Sequence, residues 1–262
     1  MKISIASTIR ILAIGAILIS PRLGAQTAAD PQADFKRLAA EISAARLNGS
    51  EESETQQEKS LVYLDSVAVS VLNGSTRPDL EAANHLLAGL VSHTPPVGEN
   101  YRLVKLAGIP AAYALVANFG LGGPAAVRIY VPMSGHYALA AKIDHFSNKD
   151  FFDSDIELVP VSDAESVFVT VSGRTDDLST GIFSAWRFDG HSVVTLWSSE
   201  LLQQSNYEFD AGGFHLAYCG QVDEDHPDHC LKMTRDLYRF QAGEWKRLET
   251  ADFPPQDKPS PK

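Results

Sequence analysis

FHLAYCGQVDEDHPDHCLKMTRDLYRFQAGEWKRLET, residues 214–250, reads as strand, long polar loop, strand, tight turn and strand. Its parts are a strand over 214–219, a loop over 220–229, a strand over 230–240, the turn Gln241-Ala242-Gly243 and a strand over 244–250. A glycine in that turn offers the left-handed position that a three-residue hairpin loop requires. Two earlier stretches repeat the plan. In one, 112–118 passes through loop 119–124 to 126–131, turns at Pro132-Met133-Ser134-Gly135 and returns along 136–142. In the other, 167–172 passes through loop 173–180 to 182–188, where Asp189-Gly190 is the preferred two-residue hairpin signal because both positions tolerate positive φ.

Upstream of Thr94-Pro95-Pro96 the apolar period is helical. Phe35, Leu38, Ala39, Ile42 and Ala45 form one stripe, Leu61, Leu64, Ala68, Val71 and Leu72 a second, and Leu80, Ala83, Leu87 and Leu90 a third. Asn48-Gly49-Ser50 and Asn73-Gly74-Ser75 supply helix stops, and Pro78 marks the start of the third helix. Both triplets match the glycosylation acceptor pattern, which their role as stops already explains. The polar stretch 51–59 reads as a solvated linker into the second helix. The fold class expected is therefore α+β: a helical segment of two to three helices over 30–94, then an antiparallel β-meander domain over 97–250. That domain is expected to be a curved sheet, a sandwich or a partial propeller-like arrangement, since three copies fall short of the roughly four blades of a closed propeller. Residues 251–262, with Pro254, Pro255, Pro259 and Pro261, read as a disordered tail.

Residues 1–25 read as an export signal peptide. Lys2 and Arg10 precede or flank the apolar run 11–19, which is too short to span a bilayer at roughly 20 residues per crossing, and Leu23-Gly24-Ala25 ends in a small residue. No cysteine follows the run, so a lipoprotein anchor is excluded. The mature chain is expected to be periplasmic or extracellular and to make no membrane contact once the signal is removed. Losing 1–25 takes three basic residues and no acid, moving the net charge from −11 to about −14. That balance excludes a general electrostatic attraction to nucleic acid or anionic lipid. A hydrophobic content of 44% supplies enough apolar material for a true core, which excludes a disordered chain.

Cys219 and Cys230 stand at the neck of the last loop. In an exported protein this pairing predicts a disulfide, with alternation placing His215 and Cys219 on the same face as Lys232 and Thr234. The rival reading is a zinc site made of both cysteines with His226 and His229, although the spacing matches no standard zinc module. A second oxygen-rich stretch, with Asp144, Asn148, Asp150, Asp153, Asp155 and Glu157, reads as a loop. Asp150, Asp153 and Asp155 are its calcium-ligand candidates, although the ordered EF-hand spacing is missing. Calcium or zinc are thus the cofactors to consider.

The dinucleotide, P-loop, nucleophile-elbow and zinc-protease motifs are absent. Ser134-Gly135-His136 puts a hydroxyl next to an imidazole in sequence, but neighbours on a hairpin turn point apart, so no catalytic residue is assigned. The leading expectation is an exported binding or scaffolding module that meets a protein or small-molecule ligand through loops 119–124, 173–180 and 220–229 on one edge. The alternative is a secreted hydrolase, possibly metal-assisted, working through the acidic and histidine-bearing loop 223–229.

Overall fold

The computed structural model describes residues 33, 35–41, 52–74, 77–90, 99–120, 123–146, 153–162, 165–174, 180–210, 212–226 and 229–254. The expected signal peptide, the Asn48 helix stop and the Thr94-Pro95-Pro96 break lie outside them, as do residues 255–262 of the expected tail. Three helices come first: α1 (residues 35–41), α2 (Glu52–Asn73) and α3 (Leu80–Ala88). Helix α2 starts inside the stretch read as a linker. Glu, Gln and Lys are strong helix formers, and Gln57 and Ser60 are buried, the Ser60 hydroxyl donating to the Gln57 carbonyl at 2.6 Å. Asn73 ends α2 as its triplet suggests. Asp79, just after Pro78, caps α3 by accepting from the Ala82 N–H at 3.0 Å.

Three four-stranded antiparallel sheets follow. Sheet 1 holds β1 (Glu99–Lys105), β2 (Tyr113–Phe119), β3 (Ala125–Met133) and β4 (His136–His145). Sheet 2 holds β5 (Asp153–Ser162), β6 (Glu165–Arg174), β7 (Ile182–Phe188) and β8 (Val193–Ser198). Sheet 3 holds β9 (Asn206–Asp210), β10 (Gly213–Val222), β11 (Cys230–Gln241) and β12 (Glu244–Phe253). The repeated unit therefore has four strands, because a lead-in strand like β1 precedes each copy. Strand β12 continues to Phe253, three residues into the stretch read as a tail.

The sheets stack face on face, and alternation along β2 shows how. Tyr113, Leu115, Ala117 and Phe119 face the helices, in one core with Phe35, Leu61, Leu64, Leu72 and Leu87. Ala112, Ala114 and Val116 face the other way, in a second core with Ile156, Phe168 and Phe188 of sheet 2. A third core joins Val167, Val169, Phe183 and Ala185 of sheet 2 to Phe214, Leu216, Tyr238 and Trp245 of sheet 3. Each fully buried side chain of this size contributes roughly 1.5–3 kcal/mol, so the three interfaces dominate stability. The far face of sheet 3 is charged. Asp210 takes both Arg239 nitrogens at 2.6 and 2.7 Å, His215 stands 3.4 Å from Asp210, and Arg235 pairs with Glu208 at 3.6 Å. Gly213 lies beneath this row, where a Cβ would come within 2.4 Å of the Arg239 guanidinium.

The helices also close the edges of sheet 1. The Asn84 amide accepts from the Leu103 N–H at 2.7 Å and donates to its carbonyl at 3.0 Å, standing in for a neighbouring strand on β1. Asn73 does the same for Tyr137 on β4, at 2.7 and 3.1 Å. Unpaired edges invite further chains, and two amides cover one on each side. A glycan on Asn73 would compete with its bond to the Tyr137 carbonyl.

One buried ionic knot ties α2 to sheet 1. Arg128, 3% exposed, lies 3.3 Å from Asp65 and 3.0 Å from Asp144, while the Tyr130 hydroxyl donates to Asp65 at 2.6 Å. Burial raises the Asp65 carboxyl above its ordinary range despite the Tyr130 hydrogen bond and the Arg128 charge, so desolvation wins over pairing here. Sheet 3 has its own buried acid. Asp236 accepts from Thr250 at 2.7 Å and Tyr218 at 3.0 Å, and burial followed by the Asp236 charge pushes the Tyr238 phenol up to about 12.

Three tight turns differ from expectation. Ser134 and Gly135 form a two-residue loop with φ of 53° and 86°, and Ala242 and Gly243 form another with 53° and 85°, so both expected loops are shorter. Asp189-Gly190 sits instead in a four-residue loop, 189–192. The Asp189 carboxylate accepts from the Ser192 and His191 N–H groups at 2.8 Å each, which widens the turn and holds that carboxyl below its usual range.

Arg128→Met leaves the Asp65 and Asp144 carboxylates without their shared cation, and is expected to cost about 3 kcal/mol in urea denaturation. An unchanged midpoint would show that the knot is solvated. His145 offers a pH test. Its ring lies 6.5 Å from that of Trp186, its Nε2 is buried without a hydrogen-bond partner among the described residues, and burial lowers its pKa below the ordinary 6.5, opposed by Asp144. Above 6.5 the ring is neutral in both folded and unfolded chains, and its contribution is fully present. As pH falls through 6.5 the unfolded chain binds the proton first, so stability drops toward the lower folded pKa. His145→Phe is expected to flatten that part of the stability profile, and parallel profiles would reject the assignment.

Candidate functional site

Register brings the roots of the three long loops to one end of the stack. Strand β2 runs into loop 119–124, and Asn118, one residue earlier, donates from Nδ2 to Asp155 at 2.5 Å while its Oδ1 accepts from the Gly120 N–H at 2.9 Å. The start of β5 lies opposite the end of β6, Asp153 pairing with Arg174, where loop 173–180 begins. That loop returns at Gly181, which bridges to Leu202. Next to it the Gln203 carbonyl accepts from the Cys219 N–H at 2.9 Å, at the root of loop 220–229. The Tyr207 hydroxyl of β9 donates to the other oxygen of Asp155. One carboxylate thus holds a residue from each of the other two sheets, at the end where the loop roots lie.

Loop geometry is fixed locally as well. The Phe119 N–H donates to the Pro124 carbonyl at 3.0 Å, and at Gly123 a Cβ would come within 2.4 Å of the Phe119 Cβ, so the closure of the first loop requires glycine. In the third loop Cys219 and Cys230 form a disulfide with Cα atoms 5.6 Å apart. Their faces differ from the alternation expected. Tyr218 pairs with Thr234 and Cys219 with Met233; the register shifts at Gly220, so that Gln221 meets Lys232, and shifts back at Leu231, so that Val222 meets Cys230. Gly220 makes this bulge possible, since a Cβ there would come within 2.1 Å of the Thr234 hydroxyl. Past the disulfide, the Asp223 N–H donates to the His229 carbonyl at 2.9 Å and the Asp225 N–H to the Asp223 carboxylate at 3.0 Å.

The acidic stretch around 144–157 is not a single loop. Asp144 belongs to β4, and Asp153 and Asp155 open β5, while Asp150 lies outside the described residues. The carboxylates there are already engaged: Asp144 with Arg128 and Lys142 inside sheet 1, and, across sheets, Asp155 with Asn118 and Tyr207 and Glu157 with Arg102 at 2.5 Å. The sequence cue that β5 is a strand was the apolar alternation of Ile156 and Leu158, masked by the acids interleaved with it. The disulfide likewise takes both cysteines out of any zinc set. His226 and His229 remain exposed, with ring centroids 5.5 Å apart. Among the described residues, no group of three His, Cys, Asp or Glu converges in a metal-holding arrangement.

Neither a known protein family nor a curated protein matches this chain. Ser134 and His136 lie at the tight-turn end, on either side of Gly135, where the hairpin directs them apart. Asn118 and Tyr207 were not singled out from the sequence, because their role depends on which sheets meet. Among the described residues no helix is long and apolar enough to cross a membrane.

Removing the disulfide with Cys219→Ser and Cys230→Ser is expected to lower stability by about 3 kcal/mol on the loop-entropy estimate. Hydrogen exchange should rise in β10 and β11 near the loop and stay unchanged in sheet 1. Uniformly raised exchange would mean that the bond supports the whole stack and is not a local clasp.

Proposed function

We propose that the chain is an exported binding or scaffolding module that recognises a protein or small-molecule partner with the loop-bearing end of the stack. The observation that carries this reading is the placement of the three loop roots at one end of the stack, where Asp155 ties sheet 2 to Asn118 of sheet 1 and Tyr207 of sheet 3. Rigid sheets that present variable polar loops side by side are a common basis for recognition. Gln221, Glu224, Asp225, His226 and His229 supply exposed polar side chains on the third loop. Its acids, with a chain charge of −11, favour a neutral or basic partner and oppose nucleic acid and anionic membranes. Export is supported by the signal-like residues 1–25 and by the disulfide, a bond that persists in oxidising compartments.

A hydrolase working through 223–229 has less behind it. Among the described residues, neither His226 nor His229 has a side-chain hydrogen-bond partner that would orient it as a general base, and both are exposed to water.

The test uses the full chain expressed in its own secretory route, with a photo-crosslinking residue at Asp225 on the loop end or at Ala242 on the tight-turn end. Material recovered outside the cytoplasm should begin after residue 25 and should give partner adducts from position 225 and none from 242. Retention inside the cell, or adducts from 242 alone, would overturn the reading.

A further inference from the structure

We propose that His226 and His229 form a two-point site for a divalent transition-metal ion at the tip of the third loop. The histidines are the observation. Their ring centroids stand 5.5 Å apart with planes inclined at 51°, and both rings are exposed. With metal–nitrogen bonds of about 2 Å, two imidazoles on one tetrahedral ion have centroids roughly 5 Å apart. The free ring centroids therefore already stand at nearly the spacing that a shared ion imposes.

The two histidines are tied through their own backbone groups. The His229 N–H donates to the His226 carbonyl at 2.8 Å, the His229 carbonyl accepts from Asp223, and the disulfide closes the strands behind. A chelate held by such a loop loses little chain entropy on binding. Asp223, Glu224 and Asp225 add a negative potential that favours a cation and disfavours protein anions. Imidazole selects copper, nickel or zinc over calcium and magnesium, which prefer oxygen ligands. With two protein ligands, the remaining coordination positions are open to water or to an external donor. The inference goes beyond the binding role and stands whether or not a partner uses the loops.

Copper(II) is the probe, since it binds nitrogen ligands most tightly of the first-row divalent ions. Titrated into the full disulfide-bonded chain, it is expected to saturate at one ion per chain, with an electron paramagnetic resonance spectrum showing two imidazole nitrogens. His226→Ala and His229→Ala should each weaken binding by on the order of tenfold or more. His136→Ala and His191→Ala, on the opposite end, should leave it unchanged. The nitrogen count in the unaltered protein makes the test independent of how the variants fold. Absence of saturable binding, a one-nitrogen spectrum, or equal loss in the His136 and His191 variants would overturn the proposal.

Discussion

A sheet with two apolar faces cannot end a molecule, and the architecture follows from that. In β2 the odd-numbered residues 113–119 are buried toward the helices and Ala114 and Val116, with Ala112 just before the strand, toward sheet 2, so sheet 1 needs a layer on each side. Sheet 2 has the same requirement and meets it with sheets 1 and 3. The stack is then terminated in two different ways. Helices α2 and α3 cover sheet 1 and supply Asn73 and Asn84 to its edges, while sheet 3 turns a row of paired charges to solvent. Repeat arrays solve the same problem with terminal units that carry one polar face.

Stacking also sorts the connections. Each antiparallel meander sends its first and third turns to one end and its middle loop to the other, so face-on-face packing in a common orientation collects the long loops. Short two- and four-residue turns with positive φ at Ser134, Gly135, Ala242 and Gly243 occupy the far end, where little but hairpin geometry is served. The loop end carries the inter-sheet polar ties instead. Asp155, bound by Asn118 and Tyr207, and Glu157, bound by Arg102, hold the lead-in strand of sheet 2 against its neighbours. A polar residue committed to such a tie is unavailable to a ligand. This moves the candidate binding chemistry outward, onto loop residues whose side chains remain exposed.

Much of the fold was legible because its signals are local. Period-two alternation in 112–118 and 167–172, the helical stripes of Leu61 to Leu72, the Asn73 stop and the Asp79 cap all act within a few residues. The strands β5 and β9 were hidden, the first because Asp153, Asp155 and Glu157 make its sequence resemble an acidic loop, the second because five residues form a weak pattern. The reading of 51–59 as a linker failed for a related reason. Polar residues with high helix propensity look solvated until a neighbouring surface covers Gln57 and Ser60. Of the candidate site, the cysteine pair was readable from context, but the bulge at Gly220, packed against Thr234 across the ladder, was not.

The amino-acid sequence by itself determined the order of helices and meanders, the acidic balance, the three long loops and the partnership of Cys219 with Cys230. Each of these rests on covalent order, short-range periodicity or composition. Only the tertiary structure decided that the meanders stack, that Asp155 serves three sheets and that the loop roots share one end. Those outcomes require residues tens of positions apart to meet, and which face meets which is settled by competition among apolar surfaces for cover, not by any local preference.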